Sequence, residues 1–300
     1  MFKLYNSRSQ ITSELSNFIK KVYPDISKPH LKLVPNITLG LVKSESVVTT
    51  DIIKTIKSLF GDVLFSSAER RLQRFFNNEK FDPYIFWQHV IEDVVSRHKL
   101  KNEKVYIAFD HTYCKNSFTV FFLSLRIGKQ GIPLWFRCFS GTENQDAFSM
   151  NLINEGISYV HNLFKDKKCK LIFLADRWFN LRPIMQHIQD LGDTYYIRTK
   201  SNVAIKINNY EYADTISYIS DIEATYSKSR YFDDVEITQY KFPTKLAVSK
   251  SKSHKEPFYI FTNGNTREAI KSYGYRFGAI EFCFKNQKSN RVLFGEYKSA

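Results

Sequence analysis

Apolar residues recur at spacings of three and four through Ile11 to Val22, Leu31 to Val42, Val47 to Phe60, Ser66 to Phe76 and Asp82 to His98. That period predicts helices over residues 1 to about 100. Start signals support several of them: Thr50-Asp51 for the third, Ser66-Ser67 with Glu69 for the fourth, and Asp82-Pro83 for the fifth. The stretch is expected to be a small helical bundle. After a charged linker beginning at Lys99 the period changes. Val105 to Phe109, Phe118 to Ile127 and Ile132 to Phe139 are rich in β-branched and aromatic residues and predict consecutive strands. Lys115-Asn116-Ser117 and Gly128-Lys129-Gln130-Gly131 break them.

Helical and strand patterns then alternate: a helix over Asp146 to Phe164, a buried strand over Cys169 to Ala175, a helix over Leu181 to Leu191 and a strand over Thr194 to Thr199. The order βββαβαβ predicts an α/β mixed sheet flanked by helices, the order expected of a ribonuclease-H-like core. Residues 200 to about 262 interrupt it with short segments, Asn202 to Ile207, Asp234 to Tyr240, Leu246 to Ser249 and Pro257 to Phe261, and are expected to form a β-rich insertion. Helical pattern returns from Thr266 to about Asn290. The division expected is a helical N-terminal region over 1–100, with DNA binding as its role, and a catalytic domain over 101–300.

Charge narrows the partner. Lysine and arginine number 44 against 30 acidic residues, a formal charge of +14 over 300 residues, which attracts polyanions over long range. Nucleic acid is the leading class. The cysteines Cys114, Cys138, Cys169 and Cys283 are scattered with no Cys-x-x-Cys pair, which argues against a disulfide framework or zinc ribbon. No charged-then-apolar leader opens the chain, and no stretch approaches about 18 uninterrupted apolar residues. The expectation is a cytoplasmic, bacterial protein.

Candidate chemistry lies in three carboxylates. Asp110 ends Val-Tyr-Ile-Ala-Phe-Asp and Asp176 ends Leu-Ile-Phe-Leu-Ala-Asp, each placed where polar residues beyond a strand line the crevice of an α/β sheet. Glu281, Lys285 and Lys288 follow i, i+4, i+7 spacing on the late helix, beside an apolar seam of Ile280, Cys283 and Phe284. Such a set suits hard divalent cations and phosphodiester chemistry. Taken singly, each aspartate reads first as an ordinary strand end or helix cap, and Glu281 as a solvated residue paired with Lys285 or Lys288; it is their joint order that points to a site.

Phe-Asp-His-Thr at 109–112, Ala-Asp-Arg-Trp-Phe at 175–179, and Tyr-x-x-Arg followed by Ile-Glu-x-x-Phe-Lys-x-x-Lys at 273–288 resemble the three catalytic blocks of bacterial DDE-class insertion-sequence transposases. The group is the IS-four-like family with the Tyr-Arg-Glu-Lys signature, and the resemblance covers about residues 60–290. It includes Arg70-Arg71-Leu72-Gln73-Arg74-Phe75-Phe76-Asn77-Asn78.

The resemblance implies a ribonuclease-H-like fold in which Asp110, Asp176 and Glu281 hold two Mg²⁺ ions, with Mn²⁺ an acceptable substitute. It implies strand cleavage and strand transfer on double-stranded DNA, at terminal inverted repeats and target, by a protein that is a homodimer on DNA. Tyr273, Arg276 and Lys288 match the family's phosphate-contacting positions, and Arg70, Arg71, Arg74 and Lys285 are further candidate DNA contacts. Arg276 and Glu281 are separated by four residues where the signature has three. On a regular helix this turns Arg276 from roughly 40° to roughly 140° away from Glu281.

Only 19 residues follow Glu281, fewer than in the family, so a truncated copy that binds DNA without catalysis is a competing expectation. A nuclease of the same fold without strand transfer is another. Lys250, Lys252 and Lys255 could track a DNA backbone, or simply tip a solvated hairpin. Trp87 and Trp135 sit inside apolar patterns and are expected in the core.

Overall fold

The computed structural model describes residues 8–46, 48–57, 64–97, 103–114, 118–140, 149–208, 216–226, 228–251 and 256–280. The chain divides into two compact units near residue 98, and each stands as a body of its own.

The first unit is helical: α1 (Arg8–Val22), α2 (Lys28–Ser44), α3 (Thr49–Ile56), α4 (Phe65–Phe76) and α5 (Pro83–Arg97). Helix α2 starts three residues before its apolar pattern because Pro29, which needs no amide partner, occupies its first turn. Asp82 caps α5, its Oδ1 accepting from the amides of Tyr84 at 2.7 Å and Ile85 at 3.2 Å. The expected Ser66-Ser67 start of α4 is not a cap, since the helix begins earlier, at Phe65. Ile37, Ile52, Ile53, Ile56, Ala68 and Leu72 join α2, α3 and α4 in one buried cluster.

The second unit is built on a mixed sheet. Its strands are β1 (Lys104–Cys114), β2 (Phe118–Ile127), β3 (Gln130–Ser140), β4 (Lys170–Ala175), β5 (Thr194–Arg198), β6 (Ala204–Ile207), β7 (Ile216–Tyr218), β8 (Arg230–Ile237), β9 (Phe242–Ser249) and β10 (Phe258–Thr262). Among the described residues they lie in the order β3-β2-β1-β4-β5-β10-β9-β8-β6-β7. The first three are antiparallel neighbours, and β4 and β5 run parallel to β1. The segment expected as an insertion is thus not a separate layer: β10 pairs with β5 on one side and β9 on the other, making one continuous sheet.

Helices cover both faces. Helix α6 (Met150–Phe164) meets the face carrying Leu123 and Trp135, where a Cβ on Gly156 would come within 2.8 Å of Leu123 and 2.9 Å of Trp135. Helix α7 (Arg182–Asp190) joins α6 through a Ser158–His187 hydrogen bond of 2.7 Å. The opposite face receives α8 (Thr266–Tyr273) and the helical residues 275–280. Here the Tyr106 hydroxyl donates to Glu268 at 3.3 Å, and the Ser124 hydroxyl to the Ala279 carbonyl at 3.2 Å.

Three differences from the sequence pattern matter. Strand β1 does not stop at Phe109, because β2 stays paired to it as far as Cys114 after β4 has ended at Ala175. Strand β8 begins at Arg230, ahead of the expected Asp234; the ladder shifts register between Phe232 and Val235, which places Asp233 and Asp234 in a bulge and spoils the alternation. The late helix breaks at Gly274 and resumes at 275. The predicted continuation to Asn290, the linker from residue 98 to 102 and residues 146–148 lie outside the described residues. No helix among the described residues is long and apolar enough to cross a membrane.

Candidate functional site

The parallel register of β1 and β4 ends on the pair Phe109 and Ala175. The next residue on each strand is an aspartate, so Asp110 and Asp176 stand side by side where β4 leaves the sheet. Asp176 is half-buried and opens the 3-10 turn Arg177–Phe179. Asp110 lies within β1, its side chain alternating with that of Phe109 and so facing α8 and 275–280.

Both oxygens of Asp110 are engaged. Oδ1 accepts the His111 amide at 2.8 Å, and Oδ2 accepts from the Arg276 guanidinium at 2.5 Å. Burial pushes the Asp110 carboxyl above the usual range; Arg276, then the His111 amide and ring pull it back, and the charge of Asp176 pushes it up again. A buried acid beside a second acid is an arrangement that a cation relieves. Its hard oxygen donors fit Mg²⁺, and Arg276 supplies an opposing charge to Asp110. Among the described residues no group of three metal-ligating side chains gathers. Glu281, Lys285 and Lys288 lie outside the described residues, one residue and more past Ile280.

Tyr273 and Arg276 were expected to face phosphate, and the structure turns both inward. Tyr273 is 3% exposed, and its hydroxyl donates to the Ala175 carbonyl at 3.0 Å, directly before Asp176. Burial raises its phenol far above the ordinary range, so it stays a donor. Arg276 is 6% exposed and is spent on Asp110. Past the helix break at Gly274 the Arg276 guanidinium reaches Asp110. These two bonds tie the end of the 266–280 segment to the C-terminal end of β4 and to β1.

A residue that sequence reasoning passed over lies on the same rim. Trp178 is 45% exposed in the turn after Asp176. Its ring lies 4.8 Å from that of His111 and 4.8 Å from that of Phe179, which is fully buried. His111 Nδ1 is 3.9 Å from Asp110 Oδ1. Burial lowers the imidazole pKa, and the charge of Asp110 opposes that. Beside it, Arg177 and Arg198 converge on one oxygen of Glu256, at 3.7 and 3.5 Å. The available signal was an aromatic residue two places after a strand-end carboxylate.

The other predicted contacts lie elsewhere. Arg70, Arg71 and Arg74 are exposed on α4, in the first unit, opposite the buried Ala68 and Leu72. Lys250 sits over the ring of Tyr226 at 4.7 Å, while Lys252 and Lys255 are outside the described residues. Trp135 is buried in the core at 1% exposure, and Trp87 is half-buried.

No family model matches the chain, and no curated protein matches it. Among solved structures it is similar to Ciona intestinalis endonuclease V in complex with a 24mer DNA containing an inosine followed by a ribo-adenosine: 12% identity, 67% of this chain and 96% of that one covered, TM-score 0.36. It is also similar to Marinitoga piezophila Argonaute in complex with 5′ OH guide RNA: 10% identity, 72% of this chain and 31% of that one, TM-score 0.29. Neither likeness reaches the level at which a shared fold follows.

Proposed function

We propose that the second unit is a ribonuclease-H-like catalytic core and that the chain is a DDE-class transposase, cutting and rejoining DNA at the ends of an insertion sequence. One observation carries this: the β1–β4 register sets Asp110 beside Asp176, and Tyr273 and Arg276 tie to that point the helix that leads into Glu281. Asp110, Asp176 and the pair Tyr273 and Arg276, separated by about 65 and 100 residues in sequence, thereby come together. Asp110 and Asp176, with Glu281, would hold divalent metal, which supplies an activated attacking oxygen and charge neutralisation at phosphorus.

The chain's own groups prepare the site. Arg276 balances the Asp110 charge, and Tyr273 fixes the carbonyl from which Asp176 departs. The His111 amide orients one Asp110 oxygen. Catalysis of this kind depends on positioning, and a helix bonded to both strands provides it.

The test is Mg²⁺-dependent cleavage of DNA carrying the element's flanking ends by the 300-residue chain. Asp110→Ala and Asp176→Ala are each expected to abolish cutting while DNA affinity is largely kept. Retained cutting in either variant removes that residue from the site. Cutting with no requirement for element ends identifies a nuclease instead, and binding with no cutting identifies a DNA-binding remnant.

A further inference from the structure

We infer that the first unit carries a binding site for a small zwitterion, an α-amino acid with an apolar side chain, in the cavity between the α1–α2 and α4–α5 connections. The site lies wholly within the first unit and does not depend on the role given to Asp110 and Asp176.

The cavity holds about 410 Å³, within the range that organic ligands occupy. Two of its walls are aromatic. Tyr23 stacks on His89 at 5.3 Å, and Phe81 packs against Phe75 at 4.9 Å, so both rings are held in place before anything binds. Rings already ordered cover an apolar side chain at low entropic cost.

The polar lining is specified by hydrogen bonds that place one proton. Asn78 Oδ1 accepts the Lys80 amide at 3.0 Å, which identifies its Nδ2 as the atom 3.0 Å from His30 Nε2. An amide nitrogen only donates, so Nε2 accepts and the imidazole proton sits on Nδ1. His30 is 7% exposed and lines the cavity, and among the described residues its Nδ1–H meets no acceptor. A buried donor left over in this way calls for an acceptor from outside.

Helix α2 adds to that demand. Ser27 stands at its N-terminus without capping an amide, and the first turn holds no acid, so the Lys28 and His30 amides and the positive end of a 17-residue helix lie open to an anion. Lys80 lines the same cavity. These groups together suit a carboxylate. Asp25 lines it too, and accepts from none of these amides. Asp25 and Lys80 are both exposed, and among the described residues neither has an ion-pair partner. Opposite charges at the mouth, a donor within and aromatic walls match an ammonium, a carboxylate and an apolar side chain on one molecule. A phosphate would answer the donors and leave the rings and Asp25 unused. A hydrocarbon would strand the His30 donor.

Ligand-observed NMR titration of the 300-residue chain tests this with three probes that share one ring: L-phenylalanine, 3-phenylpropionate, which lacks the ammonium, and phenethylamine, which lacks the carboxylate. L-phenylalanine is expected to bind saturably with a Kd at or below about 5 mM. Lys80→Met is expected to weaken L-phenylalanine and 3-phenylpropionate by about 2- to 5-fold and leave phenethylamine unchanged. Asp25→Asn should weaken L-phenylalanine and phenethylamine by about 2- to 5-fold and leave 3-phenylpropionate unchanged. His30→Phe keeps a ring and removes the Nδ1–H, and should weaken both carboxylates by about 10- to 100-fold.

No saturable L-phenylalanine binding by about 10 mM overturns the inference, as does binding that neither Lys80→Met nor Asp25→Asn alters. If His30→Phe does not fold, these two exposed substitutions decide the matter. 3-Phenylpropionate binding as tightly as L-phenylalanine, with Asp25→Asn without effect on either, overturns the zwitterion and leaves a carboxylate site.

Discussion

The Tyr273 hydroxyl is the kind of group whose removal is read in stability, because its acceptor, the Ala175 carbonyl, lies at a buried strand end. Tyr273→Phe leaves that carbonyl without this donor and is expected to cost about 1–3 kcal/mol, seen as a lower urea midpoint at unchanged slope. Asp110 has a signature in pH. Its folded pKa lies above the ordinary 3.8, so its contribution to stability is fully present below that value and is lost as pH rises through the folded pKa. Urea midpoints of wild type and Asp110→Asn followed from about pH 3 to about pH 7 should therefore diverge, the wild type falling relative to the variant as the acid ionises. A constant difference would place Asp110 in an unperturbed setting. The aspartates were legible as the ends of apolar runs. The partners of Tyr273 and Arg276 were not, since a signature gives the kind of side chain and its spacing, while burial decides whether it meets phosphate or its own backbone.

Close packing of the 275–280 helix on β2 and β3 depends on Gly131. A Cβ there would lie 1.9 Å from the Ala279 carbonyl oxygen, a backbone atom that cannot rotate away. Gly131→Ala is expected to destabilise the second unit by about 1–3 kcal/mol in urea unfolding. It should also reduce cleavage, since lifting this helix draws Arg276 from Asp110. Sequence periodicity found the helices of the first unit and the consecutive strands β1 to β3, where the apolar pattern is long and regular. It missed β7, whose three residues include the exposed Ile216 and Tyr218, because so short an edge strand has no alternation to read. It also stopped β1 early, since the continuation past Asp110 is held by pairing with β2, a partner no local window includes.

For the molecule as a whole, the formal charge of +14 would make the proposed binding to DNA strongly dependent on salt. If the exposed Arg70, Arg71 and Arg74 each meet a phosphate, replacing all three by alanine should lower the slope of log affinity against log salt by roughly 2 to 3. An unchanged slope would make α4 a solvated face. The place of β10 in the sheet bears on the making of the protein. It is the last strand of the sheet to leave the ribosome among the described residues, yet it belongs between β5 and β9. About 60 residues separate the end of β5 from its start, so at the usual pace of synthesis roughly 3–12 s pass before the gap can be filled. During that interval β5 offers a bare edge to any neighbouring nascent chain, joined by that of β9 only near its end, and the sheet is completed by a strand threading into its middle.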